Sequence, residues 1–164
     1  MATVRIRAPA KYRFLPNCGV VTETHWLRIP QDTHVEARTT WTIAVNENQH
    51  LLGSCLILLN RPCGLVSKLN AAEWMDLHTQ MQRVQRALDD LLAPDQYDFA
   101  FFTNLAHQVV LDVLPRYQGV RSWGGEKFAD ADWGAIASIE RRSMEPAALR
   151  DLRDAVRDRL PAVV

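Results

Sequence analysis

Residues 104–117 read NLAHQVVLDVLPRY, and in the middle of this run Gln108 and Asp112 place an amide and a carboxyl on either side of Val110. The run is rich in β-branched and apolar residues, which predicts a strand. Side chains on a strand alternate faces, so Gln108, Val110, Asp112 and Leu114 share one side and Val109, Leu111 and Val113 the other. The second set is uniformly apolar and is expected to pack on a helix. The first set fits two readings: solvent-facing polar residues of a half-buried strand, or the wall of a binding site. In a desolvated pocket Asp112 could hold a raised pKa and act as general acid or base.

Other reactive residue types give weaker signals. His107 is next to Gln108, but alternation sends it to the opposite face unless a bulge at Ala106-His107 re-aims it. His78 falls beside Leu77 and Met81 on a helix, and His25, His34 and His50 show no metal-like spacing. Cys55 and Cys63 lack a Cys-x-x-Cys or paired-histidine partner, so no zinc site is expected. Ser54 has no His-Asp support for a hydrolase triad. There is no phosphate-binding or dinucleotide-binding glycine motif, and no cofactor or metal is implied.

The elements that must position these residues follow from periodicity. Residues 24–29 (THWLRI) read as a strand ending at Pro30. Residues 34–45 read as one half-buried strand, with Val35, Ala37, Thr39, Trp41 and Ile43 on one parity. Residues 46–49 supply turn chemistry, and the apolar run 51–59 fits a deeply buried partner strand. Residues 70–92 form the clearest helix: Asn70 is an N-cap, Glu73 completes a capping box, and Leu69 and Trp74 occupy the positions of a hydrophobic staple. Its expected buried stripe is Trp74, Leu77, Met81, Val84, Leu88 and Leu91, with Asp76, Gln80, Arg83, Arg86 and Asp90 facing elsewhere. Residues 97–103 are strand-like, and a bend at 104–106 gives an antiparallel hairpin. Residues after Tyr117 read as loop around Gly119, Trp123, Gly124 and Gly125. A second helix is expected over 144–160, with Leu149, Leu152, Val156 and Leu160 inward and a charge-laced solvated face. Strands gathered around one long helix argue for an α+β fold with an antiparallel sheet of about five strands and a C-terminal helix.

Composition sets the bounds. The 164 residues, 48% hydrophobic, suffice for one full core. Lys+Arg and Asp+Glu both number 19, which removes the usual electrostatic case for a nucleic-acid or membrane surface. No apolar stretch is long enough for a membrane span, and the basic N-terminus lacks the apolar core of a secretory signal. The three cysteines, Cys18, Cys55 and Cys63, suit reduced thiols in a cytoplasmic protein.

Taken together, these pieces resemble the histidine triad (HIT) family of nucleotide hydrolases and transferases. The family's signature strand reads Gln or His, apolar, His, apolar, His, apolar, apolar, often followed by Pro-Arg or Ala-Arg and an aromatic. Gln108 opens that pattern here, and Pro115, Arg116 and Tyr117 close it, but Val110 and Asp112 stand in place of the middle and last histidines. The stretch LLGSCLILLNRPCGLV is similar to the family strand that carries Gly-His, an apolar quartet and Pro-Lys-Arg-His; Gly53 and Arg61 correspond, and Ser54 stands at the His after Gly. LNAAEWMDL resembles the family's Leu-Ser/Thr-x-x-Glu helix opening, and Ser122-Trp123-Gly124 the Trp-containing tail of its Gln-first branch. The resemblance covers about residues 20–134. It implies an irregular N-terminal segment over 1–20, a HIT-like domain over 21–134, and a helical extension over 135–164 packed on it.

The resemblance also implies which functions to expect. In HIT enzymes the middle histidine attacks the α-phosphate to form a nucleotidyl-histidine. Val110 cannot attack phosphorus, and an ionised Asp112 would repel a phosphate rather than stabilise its developing charge. The family places an acidic or amide side chain near the ribose hydroxyls, where Asn46 or Asn48 stands, and amides beside the phosphate, matched by Asn104 and Gln108. Trp123 covers the pocket or packs in the core. The expectation is a HIT-like protein that binds a nucleotide or related small molecule without nucleotidyl-histidine catalysis. The alternative is an enzyme with altered chemistry, using Asp112 as acid or base on a nucleotide-derived or unrelated small substrate. Many HIT proteins form two-fold dimers that extend the sheet, which implies a homodimer; nucleic acid and membrane are not expected partners.

Overall fold

A computed structural model describes residues 13–15, 19–21, 29–102, 108–138 and 140–163. Its strands are β1 (Arg13–Leu15), β2 (Gly19–Val21), β3 (His34–Ala37), β4 (Trp41–Val45), β5 (Cys55–Leu59), β6 (Gln96–Ala100), β7 (Val110–Arg116), β8 (Arg121–Trp123) and β9 (Glu126–Phe128). The helices are α1 (Ala71–Leu92) and α2 (Pro146–Arg159), with single 3-10 turns at Gln31–Thr33 and Val66–Lys68. Five strands form one antiparallel sheet in the order β3-β4-β5-β7-β6, while β1-β2 and β8-β9 are separate two-stranded ribbons. This is the α+β architecture with an antiparallel five-stranded sheet expected from sequence.

Strand alternation builds two layers on that sheet. Ile43, Val45, Cys55, Ile57, Leu59, Val109, Leu111 and Val113 join Leu77, Val84 and Leu88 of α1 and Leu149, Leu152 and Val156 of α2 in the main core. On the opposite face Ala44, Leu56, Leu58 and Val110 form a smaller apolar cluster with Ile29 packed against it. All five residues of β5 are therefore buried, which is why its sequence is a continuous apolar run rather than an alternating one.

The long helix begins as its sequence dictates. Glu73 N–H donates to Asn70 Oδ1 at 2.9 Å and Asn70 N–H to Glu73 Oε2 at 2.8 Å, closing the capping box. Its buried face is rotated from the expected stripe. Trp74 is 43% exposed and meets Phe101 edge-on, ring centroids 6.1 Å apart. Arg83, expected to face solvent, is only 5% exposed: it donates to both carboxylate oxygens of Glu36, to Gln80 Oε1 and to Pro161 O. The cause is α2 and the chain beyond it, which lie along that flank of α1 and bury a side the helix period alone leaves open.

Other boundaries differ from expectation for local reasons. The stretch 34–45 is two paired strands rather than one, with Glu36 opposite Ile43 and Arg38 N–H bonded to Trp41 O at 3.0 Å. Its turn, Arg38-Thr39-Thr40, contains no Gly or Pro, so nothing in the residue types interrupts the parity there. Residues 51–53 form a turn before β5, not its first residues. The stretch read as loop after Tyr117 contains the β8-β9 hairpin, closed by Gly124 and Gly125 with φ of 56° and 81°, the pair of positive φ values a tight two-residue hairpin turn requires. The expected strand over 24–29 lies outside the described residues except for Ile29, and so does the bend at 104–106. The hairpin that bend would close is present, since β6 and β7 pair antiparallel.

Candidate functional site

The second-layer face of the sheet carries one conspicuous polar side chain. Asp112 sits on β7 with Leu56 beside it on β5 and Ala100 on β6. Val110, two residues earlier on the same face, is buried at 3% exposure among Ala44, Leu56 and Leu58. Leu114, two residues later, is half-buried opposite Asp98. The alternation expected from sequence is therefore present, with Val109, Leu111 and Val113 in the helix-side core.

Two loops wall this face. The first joins β4 to β5 and is built from Asx turns: Asn46 Oδ1 accepts from Asn48 N–H at 3.0 Å, and Asn48 Oδ1 from His50 N–H at 3.2 Å. Buried Gln49 completes it, donating to Asn46 O and Ser54 O and accepting from Gly53 N–H. Asn48 also ties the loop to the chain before α2, donating to Glu140 O and accepting from Arg142 N–H.

The second loop runs from Asp130 to Ser138 and hangs on Arg116. That guanidinium pairs with Asp98, donates to Asp130 Oδ2 at 2.6 Å, and donates to Asp132 O and Ala135 O at 2.7 and 3.1 Å. A rigid fork with five donors is suited to this arrangement. Ser138 N–H then donates to Asp132 Oδ2 at 2.8 Å, and Ser138 Oγ lies 3.4 Å from His50 Nε2. The second contact bridges the two loops.

Between the loops lies a bay lined by Asn46, Asn48, His50, Leu51, Ser54, Phe102, Asp112, Leu114 and Ser138, with a cavity volume of ≈ 50 Å³. A groove of ≈ 680 Å³ between β6 and residues 134–137 adjoins it and shares Phe102 and Leu114 as lining residues. Burial pushes the Asp112 carboxyl up from 3.8 to about 6, because desolvation disfavours its charged form. Glu73 and Glu36 show the contrast: the Arg61 and Arg83 guanidiniums hold those carboxyls below the usual range. Among the described residues the Asp112 carboxyl makes no hydrogen bond or ion pair, and no lysine or arginine lines the bay.

Three of the residues singled out from sequence, Asn46, Asn48 and Asp112, thus converge on one bay. The others stand elsewhere. Gln108 donates to Leu59 O at 2.8 Å and ties the approach of β7 to the end of β5. Val110 is part of the apolar cluster, not of the bay wall. Trp123 donates from Nε1 to Ala148 O at 2.9 Å and packs against the main core beside α2. Asn104 and His107 lie outside the described residues. Sequence reasoning passed over His50 and Ser138, whose contact joins residues 88 apart; nothing local to either announces it. Ser54 Oγ is engaged by Leu51 O at 2.7 Å. Among the described residues no cluster of three or more His, Cys, Asp or Glu side chains is placed to hold a metal, and no helix is long and apolar enough to cross a membrane.

No family model matches the sequence, and no curated protein matches it. Solved structures do. A histidine triad protein from Bradyrhizobium japonicum superimposes with a TM-score of 0.59 at 19% identity, over 77% of this chain and 89% of that one. This chain has the histidine triad fold. A hypothetical histidine triad nucleotide-binding protein from Sulfolobus tokodaii gives a TM-score of 0.61 at 12% identity, covering 78% of this chain and 83% of that one. A Hit-like protein from Bartonella henselae, described as involved in cell-cycle regulation, gives 0.60 at 10% identity over 78% and 86%. At these identities the likeness to histidine triad structures is one of fold.

Proposed function

We propose that this HIT-fold protein binds a nucleotide or a related small molecule in the bay and groove on the face of its sheet opposite the helices, without nucleotidyl-histidine catalysis. The observation that carries this is the convergence of Asn46, Asn48 and Asp112 on one concave site; Val110, which the sequence resemblance matches to the HIT nucleophile, is buried. A pocket of this size, mostly apolar with a few convergent polar groups, is the usual form of a small-molecule site. Calorimetric titration with AMP, ADP and dinucleoside polyphosphates tests the nucleotide form; no heat from any of them excludes it.

A second reading is supported by the carboxyl itself. A group poised at about 6 can donate and accept protons near neutrality, so an enzyme using Asp112 as general acid or base on a small substrate fits the same bay. Asp112→Asn separates the two once turnover is found: unchanged turnover removes the carboxyl from the mechanism.

The setting we infer is cytoplasmic, in keeping with free, buried Cys55 and Cys63. We also infer a homodimer. Its support is β6, the sheet's edge strand, flanked by the exposed aromatics Phe99, Phe101 and Trp74, which a second copy would cover. Light scattering on the purified chain decides it, and a monomer at all concentrations rejects it.

A further inference from the structure

Asp112 is an electrostatic anomaly. Elsewhere in the fold Asp130 and Asp98 are matched by Arg116, Glu73 by Arg61 and Glu36 by Arg83, while half-buried Asp76 on α1 accepts from Gln80. Asp112 instead faces a cavity, and among the described residues no lysine or arginine stands on the cavity wall and no donor bonds to either carboxyl oxygen. A carboxylate in such surroundings gains most from a positive charge brought in with the ligand, because the attraction acts in a partly desolvated space.

The space around it has a matching shape. The bay, at ≈ 50 Å³, holds a head group of a few heavy atoms, given the roughly 10–15 Å³ that one water requires on this scale. Its mouth is Phe102 and Leu114, and the groove beyond them is walled by Phe99, Ala135 and Ile136. An aromatic ring at the mouth adds a face on which a cation is also stabilised. Asn46 Oδ1 and Asn48 Oδ1 are already committed to loop amides, so among the described residues the carboxyl of Asp112 is the unengaged acidic acceptor of the bay.

We propose that the bay is an ammonium site: it takes a small molecule whose cationic nitrogen sits on Asp112 and whose apolar or aromatic body lies in the groove past Leu114 and Phe102. A phosphate is disfavoured in the bay itself, where among the described residues it would meet a carboxylate and no lysine or arginine. A metal ion is a poor occupant too, because a hard cation needs several oxygen ligands and the described residues provide no such cluster. The inference rests on the bay being a ligand site at all, and it narrows the chemistry of that ligand.

Calorimetry on the full chain tests it with phenethylamine, phenethyl alcohol, adenosine and AMP as probes. Phenethylamine should bind, with the uncharged alcohol weaker by about ten- to hundred-fold, the usual difference made by one charge-assisted hydrogen bond. Asp112→Asn should weaken the amine by a similar factor and leave the alcohol unchanged. Leu114→Arg, which sets a competing cation on the same strand face, should abolish amine binding even if the first variant folds poorly. Binding of adenosine or AMP without binding of the amine overturns the ammonium site and leaves the small-molecule site standing. No binding of any probe removes both. Amine binding indifferent to Asp112→Asn and Leu114→Arg also overturns it, and an Nα-acetyl-lysine amide that binds as tightly as phenethylamine would reassign the site to a lysine side chain.

Discussion

Asp112 stands directly across the β5-β7 ladder from Leu56, so a titratable carboxyl shares its sheet row with a leucine that belongs to the apolar cluster around Val110. That neighbour explains both the raised pKa and its consequence for stability. The folded-state value of about 6 lies above the ordinary 3.8, so between these two the folded chain binds more protons at this site than the unfolded chain. Stability contributed here is present at low pH, falls as pH rises through this window, and stays lost above it.

Replacing the carboxyl with an amide removes the titration. With 1.36 kcal/mol per decade, the displacement from 3.8 to about 6 sets an upper figure of about 3 kcal/mol. Asp112→Asn should therefore gain stability relative to the parent between pH 4 and pH 7, by roughly 1–3 kcal/mol at the upper end. Paired denaturant titrations across that range measure it. The comparison must be a difference, because Glu36 and Glu73, whose pKa values are lowered by arginines, make both proteins less stable at the acid end. A difference that does not change with pH would show that Asp112 stays charged in the fold.

Arg116 is the anchor of the second loop. Its side chain is 5% exposed and that of Asp130 is 1% exposed, so removing either partner strands a buried charge, which costs about 3–5 kcal/mol. Arg116→Ala should show that loss. Arg116→Lys should recover little of it, because an ammonium cannot span two carboxylates and two carbonyl oxygens at once. Amide exchange should also lose protection at Ala135 and Ser138, whose N–H groups bond to Asp132 O and Oδ2. Unchanged exchange there would mean the loop is held by other contacts.

How far the sequence reached depended on the range of the interaction. The capping box at Asn70 and Glu73 and the two-faced pattern from Val109 to Leu114 are local, and both stand as read. The burial of Arg83 was not legible: it depends on Glu36 and Pro161, 47 and 78 residues away. The bay was legible in part. Asn46, Asn48 and Asp112 carry their signal in residue type, whereas His50 meets Ser138 only because Asn48 and Gln49 tie the first loop to residues 140–142. The fit of Trp123 against Ala148 likewise needs the second helix in place.

Gly53 shapes the turn that presents Ser54 and the bay. Its φ is +84°, and a Cβ there would lie 2.6 Å from Leu92 Cδ1. Gly53→Ala meets both a left-handed backbone penalty of roughly 1–2 kcal/mol and a packing clash against the end of α1 worth roughly 1–3 kcal/mol. A loss of about 2–4 kcal/mol in the denaturation midpoint analysis is expected. Leu92→Ala in the same background should relieve the clash but not the backbone strain, so the double variant should be less than additive. Strict additivity would rule out the contact as the cause.

Val110→His tests whether a nucleophile is all that is missing. The imidazole would enter a buried apolar cluster of Ala44, Leu56 and Leu58, which costs about 1–3 kcal/mol for the polar ring and leaves the fold intact if stability is otherwise ordinary. Two residues along the same face, Asp112 would still oppose the charge that develops on a transferring phosphoryl group, and among the described residues the bay wall carries no lysine or arginine to offset it. The single variant should therefore neither hydrolyse dinucleoside polyphosphates nor accumulate a nucleotidyl adduct detectable by mass spectrometry. Turnover or an adduct from Val110→His alone would show that the remaining residues already suffice for phosphoryl chemistry, and with it the ammonium site at Asp112 would lose its electrostatic basis.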